Sequence, residues 1–401
     1  MHAGEQSRRT RPIRRNREPG VSAMGTGAIG GAPDRDLDLV QLLTPEGLRV
    51  DHPHYAFGGD DAQIKSFYRD MVMTRRVDSE ATALQRQGEL GLWASCLGQE
   101  AAQVGSARAM NGQDFVFPTY REHGVAWCQG IDPVELLALF RGTDLGGWDT
   151  KAHRFHLYTI VIGSQTLHAV GYAMGLERDG LVGSGDPERD AAVIGYLGDG
   201  ATSQGDVSEA MVFASSYNAP IVFLCQNNQW AISEPIERQS RIPLYKRADG
   251  FGFPGVRVDG NDVLAMHAVT TEALERARSG NGPTFIEAYT YRMGAHTTSD
   301  DPSKYRLADE LEHWRLKDPI ERVRAYLTRT GAADDDFFAG IDSEAAELAK
   351  DLRTRCLALT APSLVDLFDD VYATKTQLLG EQQAAYADYV ASFEAPAGEG
   401  R

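Results

Sequence analysis

Residues 191–233 read AAVIGYLGDGATSQGDVSEAMVFASSYNAPIVFLCQNNQWAIS. The apolar run 193–197 predicts a buried strand that ends in Gly198-Asp199-Gly200. An alanine-rich stretch centred on residues 208–217 predicts a helix, and a second apolar run, 221–225, ends in Asn227-Asn228. Strand, turn, helix and strand at these lengths make a βαβ unit, whose strands run parallel. Both polar ends then lie at the carboxyl edge of the sheet, where open α/β sheets bind ligands. Asp199 and Asn228 are hard oxygen donors of the kind Mg²⁺ or Ca²⁺ takes. Gly198 and Gly200 let main chain approach a phosphate, and a helix following Gly200 points its positive end at the same place. A divalent metal with a diphosphate is the economical ligand. The alternative is a tight turn and a polar turn with no ligand. A solitary GDG favours that alternative; the NN at the end of the next strand reverses the balance.

The alternation continues on both sides. Residues 61–87 have helical spacing, with Ile64, Phe67, Met71 and Val72 on one face, and 88–93 break it. Gly98-Gln99-Glu100-Ala101 opens a helix through residue 109. Residues 114–117 predict a strand leading to Tyr120-Arg121-Glu122, and 133–140 a helix. Residues 159–164 predict a buried segment feeding a helix over 166–176. Strands are expected at 257–258 and 284–289, flanking a helix over 262–278. Strands alternating with helices imply a parallel sheet covered by helices on both faces. Residues 36–55 read as a mixed connector. Past residue 318 the chain turns helical: Leu364, Leu367, Phe368, Val371 and Tyr372 share one helical stripe, as do Leu378, Leu379 and Tyr386 less regularly. The expected organisation is a tail over 1–35, an α/β domain over 36–318 and a helical region over 319–401.

The 401 residues suffice for a large core. A net charge of −17 argues against general nucleic-acid binding. It suits solubility or docking to a basic partner segment. Cys96, Cys128, Cys225 and Cys356 show no CxxC spacing, so they read as reduced thiols of a cytosol-like compartment rather than a disulfide or zinc framework. No apolar run approaches the roughly 20 residues needed to span a membrane. The tail carries Arg8, Arg9, Arg11, Arg14, Arg15 and Arg17, then a glycine-rich stretch, and is expected to be disordered. Glu5, Glu18 and the glycines fit a mitochondrial transit peptide poorly. A plain tail with Met24 as a candidate start is the simpler reading, and the expected location is the bacterial cytoplasm.

GDG followed by NN at the next strand end resembles the thiamine-diphosphate motif. The stretch from residue 67 to 326 is similar to the alpha subunit of the heteromeric 2-oxo acid dehydrogenases, the decarboxylating first components of the pyruvate and branched-chain complexes. A second motif supports this: Tyr291 to Arg306, YRMGAHTTSDDPSKYR, resembles that family's active-site loop. The resemblance implies a thiamine-diphosphate-binding fold, with Asp199, Asn228 and the main-chain carbonyl of Trp230 on Mg²⁺. It implies cofactor contacts from Gly198, Gly200 and Ala201 and a Tyr120-Arg121 pair on the diphosphate; arginine's fork suits phosphate. The alternative for Arg121 is a surface ion pair with Glu122. Ile162 aligns with the apolar residue that props the bent thiamine. Thr159, Val161, Ser164 and Gln165 match positions that hold K⁺ in some relatives. His296 is the match for the loop histidine that exchanges a proton near neutral pH during acyl transfer. Thr297 stands where mitochondrial relatives carry a regulatory phosphoserine. Two departures stand out. Gln226 replaces an arginine of some branched-chain relatives, which removes a diphosphate contact. Residues 142–155 look short, and His153 and His156 there receive no role.

The same resemblance implies oxidative decarboxylation of a 2-oxo acid and acyl transfer to a lipoyl arm of an acyltransferase component. The carboxylate that activates the cofactor would come from a separate beta subunit in an α2β2 heterotetramer, leaving this chain inert alone. 3-Methyl-2-oxobutanoate is the favoured substrate, pyruvate the runner-up and acetoin cleavage third. A transketolase-type half lacks the 291–306 loop. A non-catalytic regulatory subunit would not need His296. No GxGxxG with a following acidic residue stands at a predicted strand–helix turn to support a nicotinamide dehydrogenase.

Overall fold

The computed structural model describes residues 39–144, 147–363, 365–369 and 371–394. The tail over 1–35 lies outside the described residues, as does Leu364. The strands are β1 (Leu39–Val40), β2 (Phe115–Phe117), β3 (Val193–Gly198), β4 (Ile221–Asn227), β5 (Trp230–Ala231), β6 (Glu234–Pro235), β7 (Gly255–Asp259) and β8 (Thr284–Tyr289). The helices are α1 (Asp61–Arg86), α2 (Glu100–Ala107), α3 (His123–Cys128), α4 (Pro133–Arg141), α5 (Ser164–Arg178), α6 (Gly205–Ser216), α7 (Ile236–Gln239), α8 (Arg247–Phe251), α9 (Val263–Arg278), α10 (Ala308–Arg315), α11 (Pro319–Thr330), α12 (Asp335–Ala358) and α13 (Gln377–Glu394).

One six-stranded sheet runs in the order β1-β7-β8-β4-β3-β2 with every neighbouring pair parallel. Alternate residues of its central strands enter opposite cores, as the two-residue period of a strand requires. Ile194 and Tyr196, Val222 and Leu224, and Ile286 pack with α1, α2 and α9. Val193 and Leu197, Phe223 and Cys225, and Phe285 pack with α5 and α6. The sheet is therefore covered on both faces, as the sequence pattern predicts. No helix among the described residues is long and apolar enough to cross a membrane, and all four cysteines are free thiols.

Four local features differ from the sequence expectations. The helix of the central βαβ unit starts at Gly205, not directly after Gly200, because residues Asp199–Ser203 form a 3-10 turn first. The segment over 159–164 is not buried: Ile160 is 62 % and Val161 71 % exposed. It runs past the end of β2, where Thr159 N–H donates to the Thr119 carbonyl at 3.3 Å, and apolar composition alone does not distinguish such a rim segment from a strand. Among the described residues of the supposed helical stripe from 364 to 372 there is a 3-10 turn at Asp366–Phe368 and no α-helix. β1, read as connector, is an edge strand. Its continuation is pinned by Asp262, whose Oδ2 accepts the Leu42 and Leu43 N–H groups at 2.6 Å each. The other oxygen caps α9 by accepting from Leu264 and Ala265. At the far end of the chain, Phe338, Ile341 and Leu352 of α12 enter the same core as α1.

Candidate active site

β3 and β4 are hydrogen-bonded neighbours whose last residues lie at one rim of the sheet. Beyond β3 the 3-10 turn buries Asp199, which is 1 % exposed. A Cβ on Gly200 would meet Ala231 Cβ at 2.7 Å, so glycine is what lets the turn after β3 lie against the turn after β4. In that second turn Gln229 and Ile232 adopt left-handed backbone, with φ of 70° and 57°. This state is costly for a β-branched residue. Arg292 holds Ile232 in it by donating from Nη2 to its carbonyl at 2.8 Å.

The two turns border a cavity of about 460 Å³. Tyr120, Arg121, Ile162, Gly198, Asp199, Gly200, Ala201, Asn228, Trp230 and His296 all line it. The sequence-derived residues are thus brought to a single site.

Burial pushes the Asp199 carboxyl up to about 6, against the opposing effects of a Gln239 hydrogen bond and the Arg292 charge. Gln239 Nε2 donates to Asp199 Oδ2 at 3.0 Å. A bound cation would restore the charged form. Asn228 Oδ1 accepts from Trp230 N–H at 3.3 Å, while Asn228 Nδ2 donates to Gln99 Oε1 at 2.6 Å. The Trp230 carbonyl accepts from Arg292 Nη1 at 2.8 Å and keeps a second lone pair. A carboxylate short of positive charge, an amide oxygen and a main-chain carbonyl are the oxygens a magnesium ion takes when phosphates complete its shell. No cluster of three or more His, Cys, Asp or Glu suited to a metal occurs among the described residues. The mixed oxygen set with an anionic ligand therefore fits better than an all-protein cage.

Arg121 is 5 % exposed, which excludes a surface ion pair. Its Nη1 donates to the Ser95 carbonyl at 2.5 Å and its Nη2 to the His296 carbonyl at 2.9 Å. The Glu122 carboxylate accepts instead from the Thr119 amide and hydroxyl and from Gln226 Nε2 at 2.6 Å. Burial raises its pKa. Gln226 Oε1 in turn accepts from Gln103 Nε2 at 3.1 Å, and that same nitrogen donates to the Arg121 carbonyl at 2.9 Å. Gln226 is thus tied into the buried support beneath Tyr120-Arg121.

His296 Nδ1 faces Arg121 Nη2 and Arg292 Nη1, each at 3.2 Å. Guanidinium groups only donate, so Nδ1 accepts and the neutral ring carries its proton on Nε2. Burial, then the Arg121 and Arg292 charges, push the ring's pKa down to about 3. In this structure the ring is thus held neutral, with Nε2–H as its donor. Its loop is braced by Asp300, whose Oδ2 accepts from His296 N–H at 2.8 Å and from Tyr305 OH at 2.5 Å. Thr297 lies on the cavity wall beside it.

Of the residues matched to K⁺, Val161 already offers its carbonyl to Ser164 N–H and Oγ–H, and Gln165 Nε2 donates to the Tyr196 carbonyl at 2.8 Å. His153 and His156 bond main-chain carbonyls of Gln129 and Leu157, and neither lines the cavity. Sequence reasoning missed Arg292 and Gln99. Arg292 stands inside the quoted loop motif, but its acceptors lie some 60 residues upstream.

A family described as "Dehydrogenase E1 component" matches residues 68–355. The 3-methyl-2-oxobutanoate dehydrogenase subunit alpha of Mycobacterium tuberculosis is 43 % identical over 349 residues, covering 87 % of this chain and 93 % of its own length. The pyruvate dehydrogenase E1 component subunit alpha of Bacillus subtilis is 37 % identical over 348 residues, covering 86 % of this chain and 91 % of its own. The protein of that name from Staphylococcus epidermidis is 36 % identical over 353 residues, covering 88 % and 93 %.

Proposed function

The chain belongs to the dehydrogenase E1 component family, the thiamine-diphosphate-dependent 2-oxo acid dehydrogenases, and we propose that it is the alpha subunit of a branched-chain enzyme acting on 3-methyl-2-oxobutanoate. The observation that carries this is the gathering of Asp199, Asn228, Arg121 and His296 around one cavity at the carboxyl ends of β3 and β4. The substrate follows the relative that is 43 % identical. Leu92, Ile160, Ile162 and Ile232 on the cavity wall suit an aliphatic side chain.

Thiamine diphosphate, when bound, supplies the carbon nucleophile and electron sink that decarboxylation requires. Asp199, the Asn228 amide oxygen and the Trp230 carbonyl would hold Mg²⁺. Gly198, Gly200 and Ala201 would offer main chain to the cofactor, and Ile162 an apolar prop. Tyr120 and Arg121 would meet the diphosphate, whose charge offsets one of the two cations that depress His296. His296 keeps its proton at Nε2, ready to donate to an oxygen that gains charge during acyl transfer. Arg292 keeps Nδ1 an acceptor and so fixes that tautomer. A beta subunit would contribute the carboxylate that this chain's site does not include, in an α2β2 assembly that delivers the acyl group to a lipoyl acyltransferase. We assign the assembly to the bacterial cytoplasm, where the free thiols suit reducing conditions.

The test is decarboxylation by this chain co-purified with its beta subunit, with thiamine diphosphate, Mg²⁺ and an artificial electron acceptor. A higher kcat/KM for 3-methyl-2-oxobutanoate than for pyruvate is expected. The opposite preference selects the second reading, pyruvate, favoured by the Bacillus subtilis relative. Turnover of neither acid removes the dehydrogenase reading.

A further inference from the structure

Gln99 lies just before α2, is fully buried and lines the cavity. Its main chain is locked: its N–H donates to the Cys96 carbonyl at 2.9 Å, and its carbonyl accepts from Gln103 N–H at 3.2 Å. The preceding Gly98 has a left-handed φ of 94°, and a Cβ there would meet the Tyr291 carbonyl at 2.5 Å. The turn carrying Gln99 is therefore pressed against the start of the loop that carries His296.

The hydrogen bonds fix which way both amides point. Trp230 N–H only donates, so the end of Asn228 facing it is Oδ1. Nδ2 is then the end that meets Gln99, which answers with Oε1 at 2.6 Å. Gln99 is left with its NH₂ group, and Nε2 is buried without a protein acceptor. A buried donor of this kind costs about 1–3 kcal/mol unless something accepts from it.

We propose that Gln99 is a positioning residue of the metal–diphosphate site: it aims the Asn228 amide oxygen at the metal and donates its remaining N–H to an oxygen of the bound diphosphate. This rests on the reading of Asp199 and Asn228 as magnesium ligands. Gln99 touches neither the reacting carbon nor the metal; it acts through Asn228 and through the anion.

The test uses the full chain assembled with its beta subunit. Mn²⁺ binding is followed by electron paramagnetic resonance in the presence of thiamine diphosphate, and thiamine diphosphate binding by calorimetry at saturating Mg²⁺. Gln99→Leu keeps the volume and removes both functions; its Mn²⁺ Kd is expected to rise about 10–100-fold, the usual effect of losing a residue that orients a ligand. Gln99→Glu keeps the acceptor for Asn228 and loses the donor. It is expected to recover most of the metal affinity while binding thiamine diphosphate at least about tenfold more weakly. Wild-type Mn²⁺ affinity in Gln99→Leu overturns the positioning role, and wild-type cofactor affinity in Gln99→Glu overturns the donor role. If Gln99→Leu does not assemble, Gln99→Glu decides alone: loss of metal affinity there, despite its acceptor, overturns the proposal. Asp199→Ala separates the two levels. Unchanged Mn²⁺ binding in that variant removes the metal site itself, whatever Gln99 does.

Discussion

His123 is a titratable group sealed under the site, and its burial sets an acid limit on the protein. It is 2 % exposed and stacked on Trp93 with ring centroids 4.1 Å apart. Nε2 donates to the Ala94 carbonyl at 2.8 Å, so Nδ1 is the acceptor for Tyr158 OH, also at 2.8 Å. Burial pushes its pKa down to about 3; the Ala94 bond opposes that and the Arg121 charge adds to it. The unfolded chain titrates near 6.5. The folded pKa is the lower one, so between those values the unfolded state binds more protons. Stability therefore falls as pH drops below 6.5, and the loss is complete below 3. At pH 5 an unfolded histidine is almost fully charged while this one stays neutral, a difference of about 2 kcal/mol. His123→Gln keeps a donor for Ala94 and an acceptor for Tyr158 but cannot titrate. Urea unfolding of the assembled enzyme at pH 7 and pH 5 should show the wild type losing about 2 kcal/mol more than the variant over that interval. The ring's Cε1–H resonance should stay in its neutral position down to pH 5. A ring titrating near 6.5, or equal pH dependence in the two proteins, would refute the reasoning.

His296→Ala should lower lipoyl acyl transfer about 10²–10⁴-fold; a variant that keeps the wild-type rate is a regulator's behaviour and ends the catalytic assignment. Asp114→Asn should cost about 3–5 kcal/mol in urea unfolding, because it leaves the Arg278 guanidinium, 8 % exposed, against a neutral partner. Gly98→Ala should cost at least about 1–2 kcal/mol from its left-handed φ alone. It should also weaken thiamine diphosphate binding by displacing Gln99, and a neutral result by calorimetry contradicts the crowding against Tyr291. The chain freed of its beta subunit should release no carbon dioxide from either 2-oxo acid; measurable turnover removes the split-site reading.

The sheet was legible because its central strands are short apolar runs that stop at glycine or asparagine, and alternation with helices leaves few topologies. β3, β4 and β8 lie where the runs predict them. The edge was not legible. β1 is two residues long, and the segment after it is held by partners more than 200 positions away, among them the Asp262 and Asp259 carboxylates. Residues 159–164, read as a buried segment, failed for a different reason. They have strand composition, yet they border a cavity and stay exposed at Ile160 and Val161, and apolar residues at a ligand-binding rim look like core from sequence alone.

The site divides in the same way. Asp199 and Asn228 could be read because a strand end is a local feature and their chemistry is carried by their own side chains. What tunes them is not local. Arg292 ties the loop after β8 to the turn after β4 through the Trp230 and Ile232 carbonyls, and the same guanidinium fixes the His296 tautomer. Gln99 reaches Asn228 across 129 positions. Glu122 and Gln226 join across 104. Each of these partners is ordinary in composition and becomes informative only through its distance to another residue. That is why His296 could be singled out from its motif while its protonation state could not. A histidine free in a loop titrates near neutrality, whereas burial and then two flanking guanidinium groups push this ring's pKa down. The electrostatics of this site are therefore set mainly by residues outside the βαβ unit that reveals it.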